Sequence, residues 1–518
     1  MLYDTPIMAG VAPFSGDKVI RELLSASSEL YDLAATGGLL NWDQEVYMPP
    51  KGAETRSFQQ ATVAGIYHEK LTGRKVGELI KKAKNKVKAE RGRLNIYDKA
   101  LVREIAREYK KAVKLPGELV KAISQQQSRS IESWRKAKEK SDFSLYEKDL
   151  ARMLALQVKA AQLLREKKQS LYDVMLDNHA PGLTESSVEA VFRPLQPRLT
   201  ELGKRIGTVT GGGDRPVLGK KFEFAKLKGF AQDVSREMGF DYAAGRLDTS
   251  PHPFTTDFGI NDVRITTYYI ESDVRPVIFG TIHETGHALY QQGIDPRLDR
   301  THLAGGTGLG MHESQSRFWE NIIGRSPEFW QYFYPKLKAV FPEQFKNVSR
   351  EEFVKAVNVV QPSLVRVEAD EVTYGLHIIL RFDIERELVT GRLKVKDLPK
   401  AWNKRMKDYL GIVPPNDRLG VLQDIHWAHG SFGYFPTYLM GNLIGAQMWA
   451  TMKKEVPDVQ KKVAAGELGP VRNWLKEKIH KTGRLYLTEE LLKKVTGEDL
   501  KPQYFLAYLE EKFKAIYR

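Results

Sequence analysis

Two of the eleven histidines in this chain, His283 and His287, stand four residues apart, and Glu284 directly follows the first. Residues four apart on an α-helix share a face, so both imidazoles can turn one ring nitrogen toward a single ion. Glu284 is rotated by about 100° from His283. That places its carboxylate beside the ion rather than on it, where it can take a proton from a metal-activated water. The competing reading is a pair of helical histidines hydrogen-bonded into the core. Gly286, between Thr285 and His287, argues against it: a glycine inside a helix costs about 1 kcal/mol relative to alanine, so something is expected to approach that backbone closely.

A catalytic zinc-type site takes three protein ligands and keeps one position open. A third histidine six residues after the second would complete a metzincin pattern, but that position is Gly293. The downstream candidates are Asp295, Asp299, His302, His312, Glu313 and Glu320. We choose Glu313, which lies 313 − 287 = 26 residues on, because Gly305, Gly306, Gly308 and Gly310 precede it and allow a tight return. His312 is the runner-up.

The elements that must hold these residues are mostly helices. Asp273 and Pro276 are start signals for the metal-binding helix and Gly293 is its stop signal. Leu150, Met153, Leu154, Val158, Ala161 and Leu164 form one stripe at helical spacing, and similar patterns fill much of 17–175 and 350–410. Thr208 to Asp214, with Gly211, Gly212 and Gly213, reads as a loop, after which a helical pattern resumes at 222. Asp262 to Ile270 is rich in β-branched and aromatic residues and reads as a strand flanked by Gly259 and Asn261. No repeat of fixed period is present. The expected architecture is mainly α: one domain over 1–518, a large helical body with a deep groove and a small β-sheet beside the metal helix.

Composition narrows the chemistry further. The chain has 518 residues, 42% hydrophobic and 28% charged, and no cysteine. Disulfides, thiolate metal sites, iron–sulfur clusters and a cysteine nucleophile are therefore excluded. The net charge of +15, from 80 Lys+Arg against 65 Asp+Glu, admits a nucleic-acid binder. The charges are mostly interleaved, as between Lys81 and Arg91, which fits a solvated helical surface better. The start, Met1-Leu2-Tyr3-Asp4-Thr5-Pro6, lacks the pattern of a signal peptide, and no run of about 18 apolar residues suggests a membrane helix. A cytoplasmic location with no membrane partner is the expectation.

With these residues in hand, the chain resembles the M32 family of metallocarboxypeptidases. His252-Pro253-Phe254 is similar to its His-Pro-Phe motif, and Asp262-Val263-Arg264-Ile265-Thr266 to Asp-x-Arg-x-Thr. The metal motif follows. Next comes His312-Glu313-Ser314-Gln315, whose Glu is the family's third ligand. Val365-Arg366-Val367-Glu368-Ala369-Asp370 matches Ile/Val-Arg-x-x-Ala-Asp, and Gly420-Val421-Leu422-Gln423-Asp424-Ile425-His426-Trp427 matches Gly-x-x-Gln-Asp-x-His-Trp. Asn41-Trp42-Asp43-Gln44-Glu45 through Met48-Pro49-Pro50 also looks like the family. The resemblance implies a helical fold with a deep groove, a homodimer, and one zinc or cobalt ion per chain. It implies release of single C-terminal residues from peptides, with broad specificity and poor cleavage beside proline.

The remaining roles follow from what such a reaction needs. Glu284 accepts the water's proton and passes it to the leaving amine. The tetrahedral oxyanion needs a donor besides the metal, and His426 or Tyr434 is the candidate, within the donor-rich stretch Gln423 to Tyr438. A free α-carboxylate is best read by the planar fork of an arginine. Arg366 is our choice, with Arg264 and Arg418 as alternatives, although a helical Arg366–Asp370 surface pair would also explain its neighbours. We assign Arg366, Arg264 and His252 to substrate binding, and expect the strand at 262–270 to run beside the substrate as an edge partner. The alternatives are a helical zinc oligopeptidase or peptidyl-dipeptidase, and a basic nucleic-acid-binding scaffold with a dead metal site.

Overall fold

The apolar stripe through Leu150 and Leu164 forms one side of helix Ser144–Leu164, with Leu150 and Met153 fully buried. The same logic accounts for most of the chain. In this computed structural model, which describes residues 13–89, 94–210 and 218–517, helices follow one another except around one three-stranded sheet. Three of the N-terminal helices, Lys18–Val46, Arg74–Ala89 and Ile96–Lys114, build a second, smaller core. It includes Leu23, Ile80, Leu101 and Ile105 and is shared with Ile294, Leu298 and Leu303 from the segment just after the metal helix. The large core is built by the helices from Gly117 onward. Among the described residues, no helix is long and apolar enough to cross a membrane.

Helix Arg275–Gln292 is buried on nearly every side, with Thr281, Glu284, Thr285 and Gln291 among its buried residues. It packs against helix Phe224–Met238, against the sheet, and against helix Leu309–Arg317. It ends at Gly293, as expected. That glycine is required by space: a Cβ there would lie 2.7 Å from the His480 side chain. Helix Leu309–Arg317 runs directly into a π-helical turn, Phe318–Ile323, and lies across helix Pro436–Glu455.

The sheet contains β1 (Gly245–Thr249), β2 (Thr255–Gly259) and β3 (Asp262–Thr267) in the order β1-β3-β2. β3 is parallel to β1 and antiparallel to β2, with Thr255 opposite Ile265 and a register shift between Asp257 and Gly259. Val263 and Ile265 pack with Phe240, Leu247 and Ala288, which fastens the sheet to the metal helix.

Two expectations are corrected here. The strand read at 262–270 ends at Thr267, and it is the central strand, hydrogen-bonded on both sides, so it offers no free edge to a substrate. The edge beside the metal helix is β2. Thr208 to Thr210 of the loop read from Thr208 belong to helix Glu185–Thr210; positions 211–214 lie outside the described residues, as do Met1 to Pro6, Glu90 and Arg91.

Candidate metal centre and active site

His283, His287 and Glu313 come together: one ligand atom from each lies within 4.8 Å of the others. Glu313 Oε2 is 3.8 Å from His283 Nε2 and 3.6 Å from His287 Nε2. Ligand atoms placed tetrahedrally about 2.0–2.2 Å from a zinc ion would be spaced about this far apart. The other side of each ring is already engaged. His283 Nδ1 is 2.9 Å from Glu320 Oε2, and His287 Nδ1 is 3.0 Å from His312 Nδ1. Outward bonds of this kind leave Nε2 directed at the shared point, the usual support for a metal-binding histidine. The donor set therefore fits a divalent metal.

The return that brings Glu313 here is packed through glycine. A Cβ on Gly286 would sit 2.7 Å from the Gln315 carbonyl oxygen and from Ser316 Cα. The close approach expected from the sequence is thus the backbone of helix Leu309–Arg317. On its other side, a Cβ on Gly441 would meet Glu313 Cγ at 2.7 Å. Arg317, one turn after Glu313, donates from Nε to Glu313 Oε1 at 2.7 Å and from Nη1 to Glu320 Oε2 at 3.1 Å. It occupies the Glu313 oxygen that faces away from the histidines. Burial pushes the Glu313 carboxyl up, but Arg317 and the two histidines outweigh it and hold the group well below the usual carboxylate range. Glu320 is held low in the same way by Arg317, His283 and Arg325.

Glu284 is buried on the neighbouring face. The Thr255 hydroxyl on β2 lies 2.6 Å from Glu284 Oε2 and 3.0 Å from the Glu284 carbonyl oxygen. β2 is thereby tied to the metal helix at the proposed base.

Arg366 is also buried, in a short 3₁₀ turn rather than an α-helix. The competing surface pair with Asp370 does not form. Asp370 instead accepts bonds from the backbone of Gln361, Val372 and Thr373 and from the Thr373 hydroxyl. Arg366 Nε and Nη2 both donate to Asp424 Oδ1, at 3.0 and 2.8 Å, and Nη1 donates to Tyr374 OH at 3.1 Å. The other oxygen of Asp424 accepts from Arg381, at 2.8 Å from Nε and 2.5 Å from Nη2. Two buried guanidiniums share one carboxylate, which leaves a local surplus of positive charge. Burial and these two arginines push the His426 imidazole down to about 3, against the opposing pull of Asp424.

His426, Tyr434 and Tyr438 stand ring to ring, with centroids 5.2–6.1 Å apart. The Tyr434 hydroxyl is pushed up by burial and by the Glu313 charge, which puts it within the field of the metal-binding carboxylate. The charges acting most on His426 are instead Asp424, Arg366, Arg381 and His429.

Other sequence candidates are exposed or bonded to neighbours of their own. Arg264 makes a two-pronged ion pair with Asp262, at 2.8 Å for each bond, and lies over the rings of Trp42 and Phe258. His252 is exposed, with Nδ1 2.9 Å from the Pro253 carbonyl oxygen. Arg418 is exposed. His302 is turned toward Ser27 and Glu108. Asp295 pairs with Arg297. Sequence reasoning missed Arg317, Thr255 and Arg381, and assigned no role to Asp424 or Tyr374. Arg317 had a signal, its position four residues after Glu313.

The family model described as carboxypeptidase Taq (M32) metallopeptidase matches residues 22–513. The chain is 41% identical to thermostable carboxypeptidase 1 of Pyrococcus furiosus, with 96% of this chain and 99% of that protein covered. It is 38% identical to thermostable carboxypeptidase 1 of Thermus thermophilus, with 96% and 98% covered. Among solved structures, a Pyrococcus furiosus carboxypeptidase superposes with a TM-score of 0.93, at 41% identity over 96% of this chain and 99% of that one. An M32 carboxypeptidase from Deinococcus radiodurans superposes with a TM-score of 0.92, at 35% identity over 97% of this chain and 100% of that one.

Proposed function

This chain belongs to the carboxypeptidase Taq (M32) metallopeptidase family and is a metal-dependent carboxypeptidase; from that premise we propose that it removes single residues from free C-termini with broad specificity, using one zinc held by His283, His287 and Glu313. The observation that carries the proposal is the convergence of those three ligand atoms, with both Nδ1 atoms already engaged. Two imidazoles and a carboxylate suit zinc, and cobalt accepts the same donors. When bound, such a metal polarises a carbonyl and makes water acidic enough to attack near neutral pH.

The chain's own residues do the rest. Glu284 takes a proton from the attacking water and delivers it to the leaving amine nitrogen, with the Thr255 hydroxyl fixing its carboxylate. His426 or Tyr434, whose rings lie 5.3 Å apart, is the proposed donor to the developing oxyanion. Arg366 reads the substrate's α-carboxylate. Its Nη1 and Nη2 keep N–H groups beyond those given to Asp424 and Tyr374, and a substrate carboxylate offsets the surplus charge it shares with Arg381. β2 is the proposed edge for the substrate backbone. Arg264, opposite Thr256 on β3, and His252, just before β2, complete the substrate-binding set. A homodimer in the cytoplasm is the proposed state, which light scattering of the purified protein checks.

The test is one peptide with a free and with an amidated C-terminus, digested and read by mass spectrometry. A ladder of single-residue losses from the free form alone supports the proposal. Internal cuts, or removal of dipeptides, would point to an oligopeptidase or peptidyl-dipeptidase instead.

A further inference from the structure

The last helix, Gln503–Ile516, carries a buried cation that the proposed reaction does not use. The side chains of Lys512 and its partner Glu371 are each 5% exposed. Lysine is almost never buried this far unless its ammonium is paired. Here the three N–H donors meet three acceptors: Glu371 Oε2 at 2.6 Å, the Asn321 carbonyl oxygen at 3.0 Å and Tyr508 OH at 3.2 Å. The Tyr508 hydroxyl donates to the same Asn321 carbonyl at 3.1 Å.

Two of these acceptors, the Asn321 carbonyl and Glu371, belong to chain segments that lead to different parts of the proposed site. Asn321 belongs to the π-helical turn Phe318–Ile323, which stops two residues later. Carbonyls in a last helical turn lack helical partners and must find others. The preceding residue is Glu320, which holds His283 Nδ1, and the Glu320 charge is felt at Lys512. Glu371, the other anchor, follows Asp370, whose carboxylate knits together the turn of Gln361, Val372 and Thr373. That turn leads into Tyr374, whose hydroxyl accepts from Arg366 Nη1.

We infer that Lys512 is a positioning residue for both halves of the active site. From the end of the chain it fixes the turn that aims Glu320 at the metal-binding His283, and the turn that sets Tyr374 against Arg366. The inference rests on the ligand and carboxylate-binding roles proposed above.

The test compares the native chain with Lys512→Met/Glu371→Gln, which removes the pair without leaving one buried charge unmatched, and with Tyr508→Phe, which deletes one bond to Asn321 and keeps the ring. Zinc affinity is measured on metal-free protein by competition with a chromophoric chelator, and KM and kcat are measured on a free-C-terminus peptide with zinc saturating. Loss of an outer partner of a metal-binding histidine weakens binding by about 10–100-fold. The double variant, one step further out, is expected to weaken zinc binding by about tenfold and to raise KM at saturating zinc. Tyr508→Phe should weaken zinc binding in the same direction, but less. A folded double variant with native zinc affinity and native KM, whatever its melting temperature, overturns the inference; if it does not fold, native zinc affinity in Tyr508→Phe does so. Glu320→Gln is the control for the underlying reading. If it too binds zinc normally, the failure lies in the support of His283 and not in Lys512.

Discussion

His283 and His287 each spend one nitrogen on an outward partner, Glu320 or His312, and both partners were weighed from the sequence as metal ligands. The sequence names these residues as candidates for one cluster. It does not tell which of them turn toward the shared point and which bond to the outer Nδ1 atoms, because that depends on how helix Leu309–Arg317 rotates against its neighbours. Thr255 had no sequence signal, since its contact with Glu284 spans 29 positions and is made by tertiary packing. Two substitutions test roles at this scale. Glu284→Gln keeps the shape and the Thr255 contact but cannot accept a proton near neutral pH. It should bind metal normally and lose turnover by about 10²–10⁴, checked by metal analysis beside kcat; near-native turnover would assign the proton to another group. Arg366→Ala should lower kcat/KM on free-carboxylate peptides by about one to two orders of magnitude, since a charge-assisted hydrogen bond contributes roughly 1.5–3 kcal/mol. Residual cleavage of amidated peptides should hardly change, and Arg366→Lys should recover only part, lacking the planar fork. A carboxylate-selective loss in Arg264→Ala or Arg418→Ala instead would move the role to that residue.

The helices were legible because their stripes are long, and the metal helix could be bounded at Gly293. β1 and β2 were not, because five residues such as Gly245–Thr249 are too few for an alternating pattern. The central place of β3 depends on those two missed partners. Glycines give a sharp test at this scale. Helix propensity alone predicts that Gly286→Ala stabilises by about 1 kcal/mol. The 2.7 Å approach of the Gln315–Ser316 backbone reverses that sign, so a loss of about 1–3 kcal/mol is expected. Gly229→Ala, in helix Phe224–Met238 with nothing within 4 Å, should stabilise by up to about 1 kcal/mol. Chemical denaturation of both variants decides; equal effects would mean that helix packing does not discriminate. Helix Tyr374–Val389 offers a pH test through Glu385, which accepts from Tyr172, Trp427 and the Gly433 backbone and so grips both ends of the segment 427–433 that directly follows His426. Burial pushes its carboxyl up from 4.5 to about 7, against those donors. The folded state therefore holds the proton more tightly than the unfolded chain. The resulting stability is fully present below about 4.5 and is lost as pH rises through about 7. The native chain should lose on the order of 3 kcal/mol relative to Glu385→Gln across that window. A constant difference between the two would contradict the assignment.

At the scale of the whole molecule, charge is concentrated inward as well as outward. The interleaved surface lysines match the solvated reading of the +15 net charge, while Arg317, Arg366, Arg381 and Lys512 are largely or fully buried, each against a carboxylate. Three of these pairs lie between the metal ligands and the proposed carboxylate reader or hold one of them. The fourth reaches the same region from the last helix. The molecule thus brings together residues between positions 255 and 512 around one catalytic centre, which explains why motifs spread along the chain carried more information than any local pattern. Catalysis as proposed requires a single metal at His283, His287 and Glu313. The direct measurement is a titration of metal-free protein with zinc, following release of the C-terminal residue from a peptide. We predict no activity without metal, a linear rise, and a plateau at one zinc per chain that Glu313→Ala abolishes. Full activity in the metal-free protein, or an unchanged plateau in Glu313→Ala, would contradict it.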